Sequence, residues 1–225
     1  MTAILITGAN RGIGLELAKS ALDKGWTVYG SARTAEQGDE MARYHPGILP
    51  LIFDVTDRAA IAEAAACLEE PIDILINNAG IIGPDRQSTL DMDFDGFAQT
   101  LAVNTLAPLA VAQAFLPHLK KSAAARILTV SSQMAWMGYS KSDRIAYRAS
   151  KSAVNKVMQG LSADLEADSV SVCLIDPGWV QTDMGGAEAD NPASDVAKGI
   201  IAIADTLTIS GTGKFFKWTG DERPF

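Results

Sequence analysis

The chain has 225 residues, of which 48% are hydrophobic and 20% charged. That balance belongs to an ordered globular protein and excludes a disordered, highly charged chain. The formal charge is −8, from 19 basic and 27 acidic residues, which argues against nucleic acid as a general partner.

In chain order, the N-terminus carries no basic stretch and only a short apolar run, Ala3–Thr7, which reads as a strand and not as a signal peptide. Further β-branched, apolar runs follow at Thr27–Ser31, Ile48–Phe53, Ile72–Ile76, Arg126–Ser131 and Val170–Ile175, with a last strand at Lys214–Trp218. Helical spacing occupies the segments between them: Gly14–Lys24, Arg58–Leu68, Phe97–Leu119, Ala146–Ala167 and a helix beginning near Asn191-Pro192. The most apolar stretch, Leu101–Leu119, contains Asn104, Pro108, Gln113, Pro117 and His118 and reads as a buried helix, not a membrane span. Strands separated by whole helices pair in parallel, and near-continuous apolar strands require cover on both faces. The expected fold is α/β: a doubly wound, mainly parallel sheet with helices on both faces, in a single domain over residues 1–225. Cys67 and Cys173, like His45 and His118, stand at no metal-ligand spacing, so no metal is expected and a reduced, cytoplasmic setting fits.

Ligands of such sheets sit beyond the carboxyl ends of the strands. The first strand runs into Gly8-Ala9-Asn10-Arg11-Gly12-Ile13-Gly14, where glycines let backbone approach a phosphate and the next helix offers unpaired N–H groups. An acid for the NAD ribose is expected about 20 residues beyond such glycines. No acid stands between Val28 and Ala35; Arg33 is there instead. With Arg11 it points to a 2′-phosphate, hence NADP(H) in preference to NAD(H). Asp54, at the third strand end, suits either an adenine amino group or a helix cap, a role Asp57 could equally fill. Asn77-Asn78-Ala79-Gly80 ends the fourth strand. Beyond the fifth strand lie Ser131 and Ser132, and then Tyr147 and Lys151 at i and i+4 on one helix face. A nearby ammonium favours a phenolate, so this pair can tune a tyrosine for proton transfer.

These motifs, in this order, resemble the short-chain dehydrogenase/reductase family in its compact single-domain branch. Thr7-Gly8-x-x-x-Gly12-x-Gly14, Asp54, Asn77-Asn78-Ala79-Gly80, Asn104, Ser132, Tyr147-x-x-x-Lys151 and Pro177-Gly178-x-x-x-Thr182 all match, spanning residues 7–182. The chain, whose C-terminus is short, resembles the C-factor/Sniffer-like carbonyl reductase group. The resemblance implies a Rossmann fold with a cofactor half at about 1–120 and a catalytic and substrate half at about 121–225. It also implies NADP(H)-dependent interconversion of a small-molecule aldehyde or ketone with an alcohol, in a homodimer or homotetramer. Tyr147 would be the acid/base, Ser132 would hold the carbonyl oxygen, Lys151 would hold the nicotinamide ribose and depress the Tyr147 pKa, and Asn104 would anchor a relay water. The alternative for Asn104 is a buried amide satisfied by backbone. Gly8, Asn10, Arg11, Gly12, Ile13, Gly14, Arg33, Asp54, Val55, Asn78, Ala79, Gly80, Tyr147, Lys151, Pro177, Gly178, Val180 and Thr182 would contact the cofactor.

The chain departs from the family at Ala135, where glycine is frequent, and Ser132 stands 15 residues before Tyr147, which implies a lengthened Met137–Asp143 loop. Ser131 is the alternative hydroxyl. Met134, Trp136, Trp179 and Met184 flank the expected catalytic residues and could line an apolar pocket for an uncharged carbonyl compound. A second reading is an NADP(H)-binding redox sensor or signalling protein with little turnover.

Overall fold

A computed structural model describes residues 1–225. The elements run β1 (Ala3–Ile6), α1 (Gly12–Asp23), β2 (Thr27–Ala32), α2 (Ala35–Tyr44), β3 (Ile48–Ile52), α3 (Arg58–Ala66), β4 (Ile74–Asn77), β5 (Gln87–Ser88), β6 (Asp91–Met92) and α4 (Phe94–Leu101). After them come α5 (Ala107–Leu119), β7 (Arg126–Val130), α6 (Ile145–Asp164), β8 (Ser171–Asp176), β9 (Val180–Gln181), β10 (Asn191–Pro192), α7 (Ala193–Thr206) and β11 (Phe215–Lys217). Seven strands form one sheet in the order β11-β8-β7-β4-β1-β2-β3, every pair parallel. The chain order reverses between β1 and β4, so a crevice opens at the carboxyl ends of those two strands.

The strands are apolar on both sides because both sides are covered. Along β1, Ala3 and Leu5 join one core with Ile61 of α3, Phe115 of α5 and Met158 of α6. Ile4 and Ile6 join the other, with Leu17 of α1, Met41 of α2 and Ile200 of α7. The two-residue alternation of a strand thus feeds two cores, and each fully buried Ile or Leu contributes about 1.5–3 kcal/mol. Pro50 lies in β3, at the sheet edge, where a missing N–H is tolerated.

The doubly wound parallel sheet is the expected one, but two helical stretches differ from their expected form. The polar segment Ala35–Tyr44 is a helix, capped by Thr34 accepting from the Gln37 N–H and burying only Gly38 and Met41. The expected continuous helix Phe97–Leu119 begins at Phe94 and opens into a π-helical turn at Ala102–Leu106. Pro108 explains the wide turn: it cannot donate to the Asn104 carbonyl, and its ring crowds that oxygen in a regular helix. The span Phe94–Leu119 is long and apolar enough to cross a membrane by composition, at a mean hydropathy of 1.3. Val111, Ala112, Phe115 and Leu119 from it are buried against the sheet.

Candidate active site

The phosphate loop is shaped by glycine geometry. Gly8 and Gly12 hold left-handed φ values of 66° and 55°, which side chains with a Cβ rarely adopt. Gly14 packs so closely that a Cβ would overlap the Gly8 carbonyl oxygen. Helix α1 then starts with Arg11 extended, no side-chain cap and no acid in its first turn. Its first N–H groups and positive dipole end therefore face the loop unneutralised, which is the donor set an anion requires.

The end of β4 braces that loop. Thr7 Oγ1 accepts from the N–H groups of Asn78 and Ala79, at 3.0 and 3.1 Å. The Asn78 amide donates to the carbonyls of Thr7 and Gly8, at 3.0 and 3.2 Å. The Asn78 side-chain donor is thereby spent on loop shape. Gly80 is the gap between the two halves of the crevice: a Cβ there would stand 3.2 Å from Asn104 Oδ1 and 3.7 Å from Lys151 Nζ.

At the β2 and β3 ends, Arg33 is exposed, while Asp54 Oδ1 accepts from the Thr56 N–H at 2.8 Å and its hydroxyl at 2.7 Å. The Thr56 bonds, chiefly the backbone one, hold the Asp54 carboxyl below its usual range, with Arg33 adding to them. Asp57 is the cap of α3, accepting from the N–H groups of Ala59 and Ala60. Arg11 pairs with Asp183 at 2.9 Å, so Arg33 is the freer of the two cations expected for a 2′-phosphate. Thr182 lies against Gly12, its methyl 3.5 Å from where a Cβ would be, which brings the Pro177–Thr182 segment onto the phosphate loop. Its hydroxyl caps the following turn, accepting from the Gly185 N–H at 3.1 Å.

The catalytic candidates converge on the other side of the crevice. Ser131, the alternative hydroxyl, is 1% exposed and donates to Asn155 Oδ1 of α6. Ser132 points the other way, accepts from the Met134 N–H at 3.1 Å and neighbours the Tyr147 phenol. Gln87 fixes the start of α6, its Oε1 accepting from the Tyr147 N–H at 3.1 Å. Asn104 Oδ1 accepts from the Ile81 N–H, and its amide donates to the Ile81 carbonyl and to Ser150 Oγ. Its side chain is thus satisfied largely by backbone, the alternative expected for it. Ser150 Oγ in turn donates to the Tyr147 carbonyl at 2.7 Å.

Lys151 differs from expectation. Its Nζ donates to the Val130 carbonyl at 2.8 Å and lies 5.7 Å from the Tyr147 ring centre. Burial pushes the Lys151 amine down to about 8. Burial also pushes the Tyr147 phenol above its ordinary value; the Ser132 hydroxyl opposes this and the Asp176 carboxylate reinforces it. With its value raised, the phenol keeps its proton at neutral pH.

Sequence reading missed four of these residues. Gln87, Ser150 and Asn155 carry no local signal; Asp176 immediately precedes Pro177 and could have been found by position. A cavity of about 390 Å3 opens beside the N-terminus of α6, with Asp85, Gln87, Asp143 and Arg144 among nine lining residues, of which only Ile82 is hydrophobic. Neither Ser132, Tyr147 and Lys151 nor Met134, Trp136, Trp179 and Met184 are among its lining residues. Trp136 instead stacks edge-on against Tyr139, while Trp179 donates to the Gly185 carbonyl and Met184 is exposed.

Residues 2–193 match the family described as short chain dehydrogenase, and the chain belongs to that family. Within it the chain falls in the carbonyl reductase/Sniffer-like group of oxidoreductases. It is 39% identical to the C-signal protein of Myxococcus xanthus over 156 residues, 69% of this chain and 93% of that one. The carbonyl reductase Sniffer of D. melanogaster superposes with a TM-score of 0.92 at 31% identity, over all of both chains. An NADPH-bound carbonyl reductase from chicken fatty liver superposes with a TM-score of 0.91 at 29% identity, over 100% of this chain and 99% of that one.

Proposed function

We propose that the protein is an NADP(H)-dependent carbonyl reductase acting on a small-molecule aldehyde or ketone, with Ser132, Tyr147 and Lys151 as its acid/base site. The observation that carries this is the crevice at the β1/β4 reversal. An uncapped, acid-free helix start and tight glycines face it from one side, and the Tyr147 phenol beside the Ser132 hydroxyl faces it from the other. The residues present fit the dinucleotide: Gly8–Gly14 for the diphosphate, Arg33 with Asp54 and Val55 at the adenosine end, Gly80 and the Pro177–Thr182 segment at the nicotinamide end. The cofactor half is about 1–120 and the catalytic and substrate half about 121–225.

The reduced nicotinamide supplies a hydride to the carbonyl carbon when bound. The chain does the rest. Ser132 Oγ donates to the carbonyl oxygen and fixes it against Tyr147. Tyr147 Oη gives that oxygen its proton as negative charge develops. The phenol is protonated before the step, as a general acid must be. Lys151, freed from the Val130 carbonyl, reaches the ribose hydroxyls. Asn104 keeps the Ile81 backbone and Ser150 in register beneath the site. A homodimer or homotetramer in the cytoplasm completes the proposal; exposed Phe94 and Leu106 on the α4–α5 span supply apolar surface for such contacts.

The test is fluorescence titration of the protein with NADPH and NADH in parallel. Tight binding of NADPH with weaker binding of NADH is expected; binding of neither contradicts the proposal. The sensor reading is separated by turnover, since it predicts NADPH binding without reduction of any carbonyl in a broad panel.

A further inference from the structure

Asp176 ends β8 and is 4% exposed. Its Oδ1 accepts from two backbone donors, the N–H of Gln133 and the N–H of Gly178, each at 3.0 Å. Gln133 follows Ser132 directly, and Gly178, at a left-handed φ of 72°, follows Pro177. One carboxylate oxygen therefore ties the turn that aims the serine hydroxyl to the turn assigned to the nicotinamide end. The strand ends just before these turns are joined as well, the Ser131 N–H donating to the Ile175 carbonyl at 2.7 Å.

The second oxygen, Oδ2, is paired with the guanidinium of Arg223, only two residues from the C-terminal Phe225. That pair is buried, with side chains 11% and 5% exposed for Arg223 and Asp176. The tail reaches it by folding back along β11. The Lys217 N–H donates to the Asp221 carbonyl, Phe216 bridges Glu222, and the Arg223 N–H donates to the Phe215 carbonyl. The guanidinium carbon lies 5.2 Å from the centre of the Phe215 ring, and Phe225 packs against the same ring at 5.8 Å. Arg223 Nε is buried with no partner. The fold tolerates that unpaired donor in order to place the guanidinium head at Asp176.

A buried carboxylate without a counter-charge is costly, and the surrounding structure must shift or admit water to relieve it. The two N–H groups that Asp176 serves lie just beyond the end of the β7–β8 ladder, and the carboxylate is their acceptor. We infer that Asp176 and Arg223 are a positioning pair: Arg223, delivered by the C-terminal tail, balances the buried Asp176 carboxylate and holds it in place, so that it clamps the Ser132 turn to the Pro177–Gly178 turn. The inference rests on the reading of those two turns as parts of one active site. It makes the tail a component of the site although no tail residue reaches the crevice.

The test is amide hydrogen exchange at Gln133 and Gly178, followed by NMR on the full chain without substrate or cofactor. In Arg223→Met both amides are expected to exchange at least about tenfold faster while amides in β1 and β4 keep their rates. In the double variant Asp176→Asn/Arg223→Met the neutral carboxamide still accepts from both N–H groups and needs no counter-charge, so protection returns. Unchanged exchange in Arg223→Met overturns the inference. So does a double variant that is folded but unprotected, because the tail is then a mere structural anchor. If Arg223→Met alone does not fold, the double variant carries the test, and its own failure to fold counts against charge balance as the role. For carbonyl reduction, kcat is expected to fall in Arg223→Met and to recover with the amides in the double variant; protection that returns without kcat overturns the positioning role. A wild-type protein inactive on every carbonyl contradicts the proposed function instead, and the amide rates still decide whether the clamp exists.

Discussion

Gly14 is pressed against Gly8 so tightly that a Cβ on Gly14 would overlap the Gly8 carbonyl oxygen and crowd the Asn78 amide. Gly14 is helical, so the constraint is one of space and not of backbone conformation. Substituting Gly14→Ala must push α1 away from the end of β1. The expected result is a loss of about 1–3 kcal/mol of stability in urea unfolding, the usual cost of overpacking. NADPH affinity is expected to fall with it, since the displaced N–H groups are those assigned to the diphosphate. Wild-type stability in this variant would mean that the loop is looser than its geometry.

The two cations assigned to the 2′-phosphate differ in what already holds them. Arg11 is paired with Asp183, although both are well exposed and the pair is weak in water. Arg33 stands by Asp54 at the adenosine end. Arg33→Ala is therefore expected to weaken NADPH binding about tenfold, a typical loss for one charge-assisted contact, with NADH nearly unchanged. Arg11→Ala is expected to do less. Parallel titrations with the two cofactors measure both, and equal weakening of NADPH and NADH by Arg33→Ala contradicts a role at the 2′-phosphate.

Much of this site was legible in the sequence because strand ends are where such sheets bind, and the strands announce themselves by apolar, β-branched runs. Glycines at Gly8, Gly12 and Gly14 and the spacing of Tyr147 and Lys151 are local signals that survive folding unchanged. Helix α2 was not legible, since it buries only Gly38 and Met41 and leaves no apolar stripe to read. The π-helical turn at Ala102–Leu106 was hidden by unbroken hydrophobicity, although Pro108 was its visible cause. Hydrogen-bond partners were the least legible of all. Asn78 read as a ligand contact, but its donors go to carbonyls about 70 positions away in the chain. Lys151 read as a ribose contact and as the group that tunes Tyr147; nothing in the sequence signals that its Nζ also donates to the Val130 carbonyl. Such choices depend on which backbone groups the sheet leaves without partners, and no single segment of sequence records that.

Lys151 gives a prediction in pH. Its folded value is near 8 against 10.5 for a free lysine, because burial disfavours the ammonium. Between these values the unfolded chain binds a proton that the folded chain does not. Stability therefore rises with pH across that window, and below about 8 the full penalty of the buried charge applies. Relative to Lys151→Met, the cofactor-free protein is expected to gain about 1.5 kcal/mol between pH 8 and pH 9.5. Urea unfolding of both proteins at a series of pH values measures the difference. A gap that does not change with pH contradicts a lowered lysine.

In the proposed reaction Tyr147 delivers the proton of a carbonyl reduction driven by NADPH. The direct measurement is the rate of NADPH consumption with a reducible carbonyl compound, in wild type and in Tyr147→Phe, with NADPH affinity measured on the same samples. Removing a general acid costs about 10²–10⁴-fold in rate. The expected result is a loss of that order in Tyr147→Phe, with NADPH bound as tightly as in wild type. Full turnover in Tyr147→Phe would contradict the mechanism.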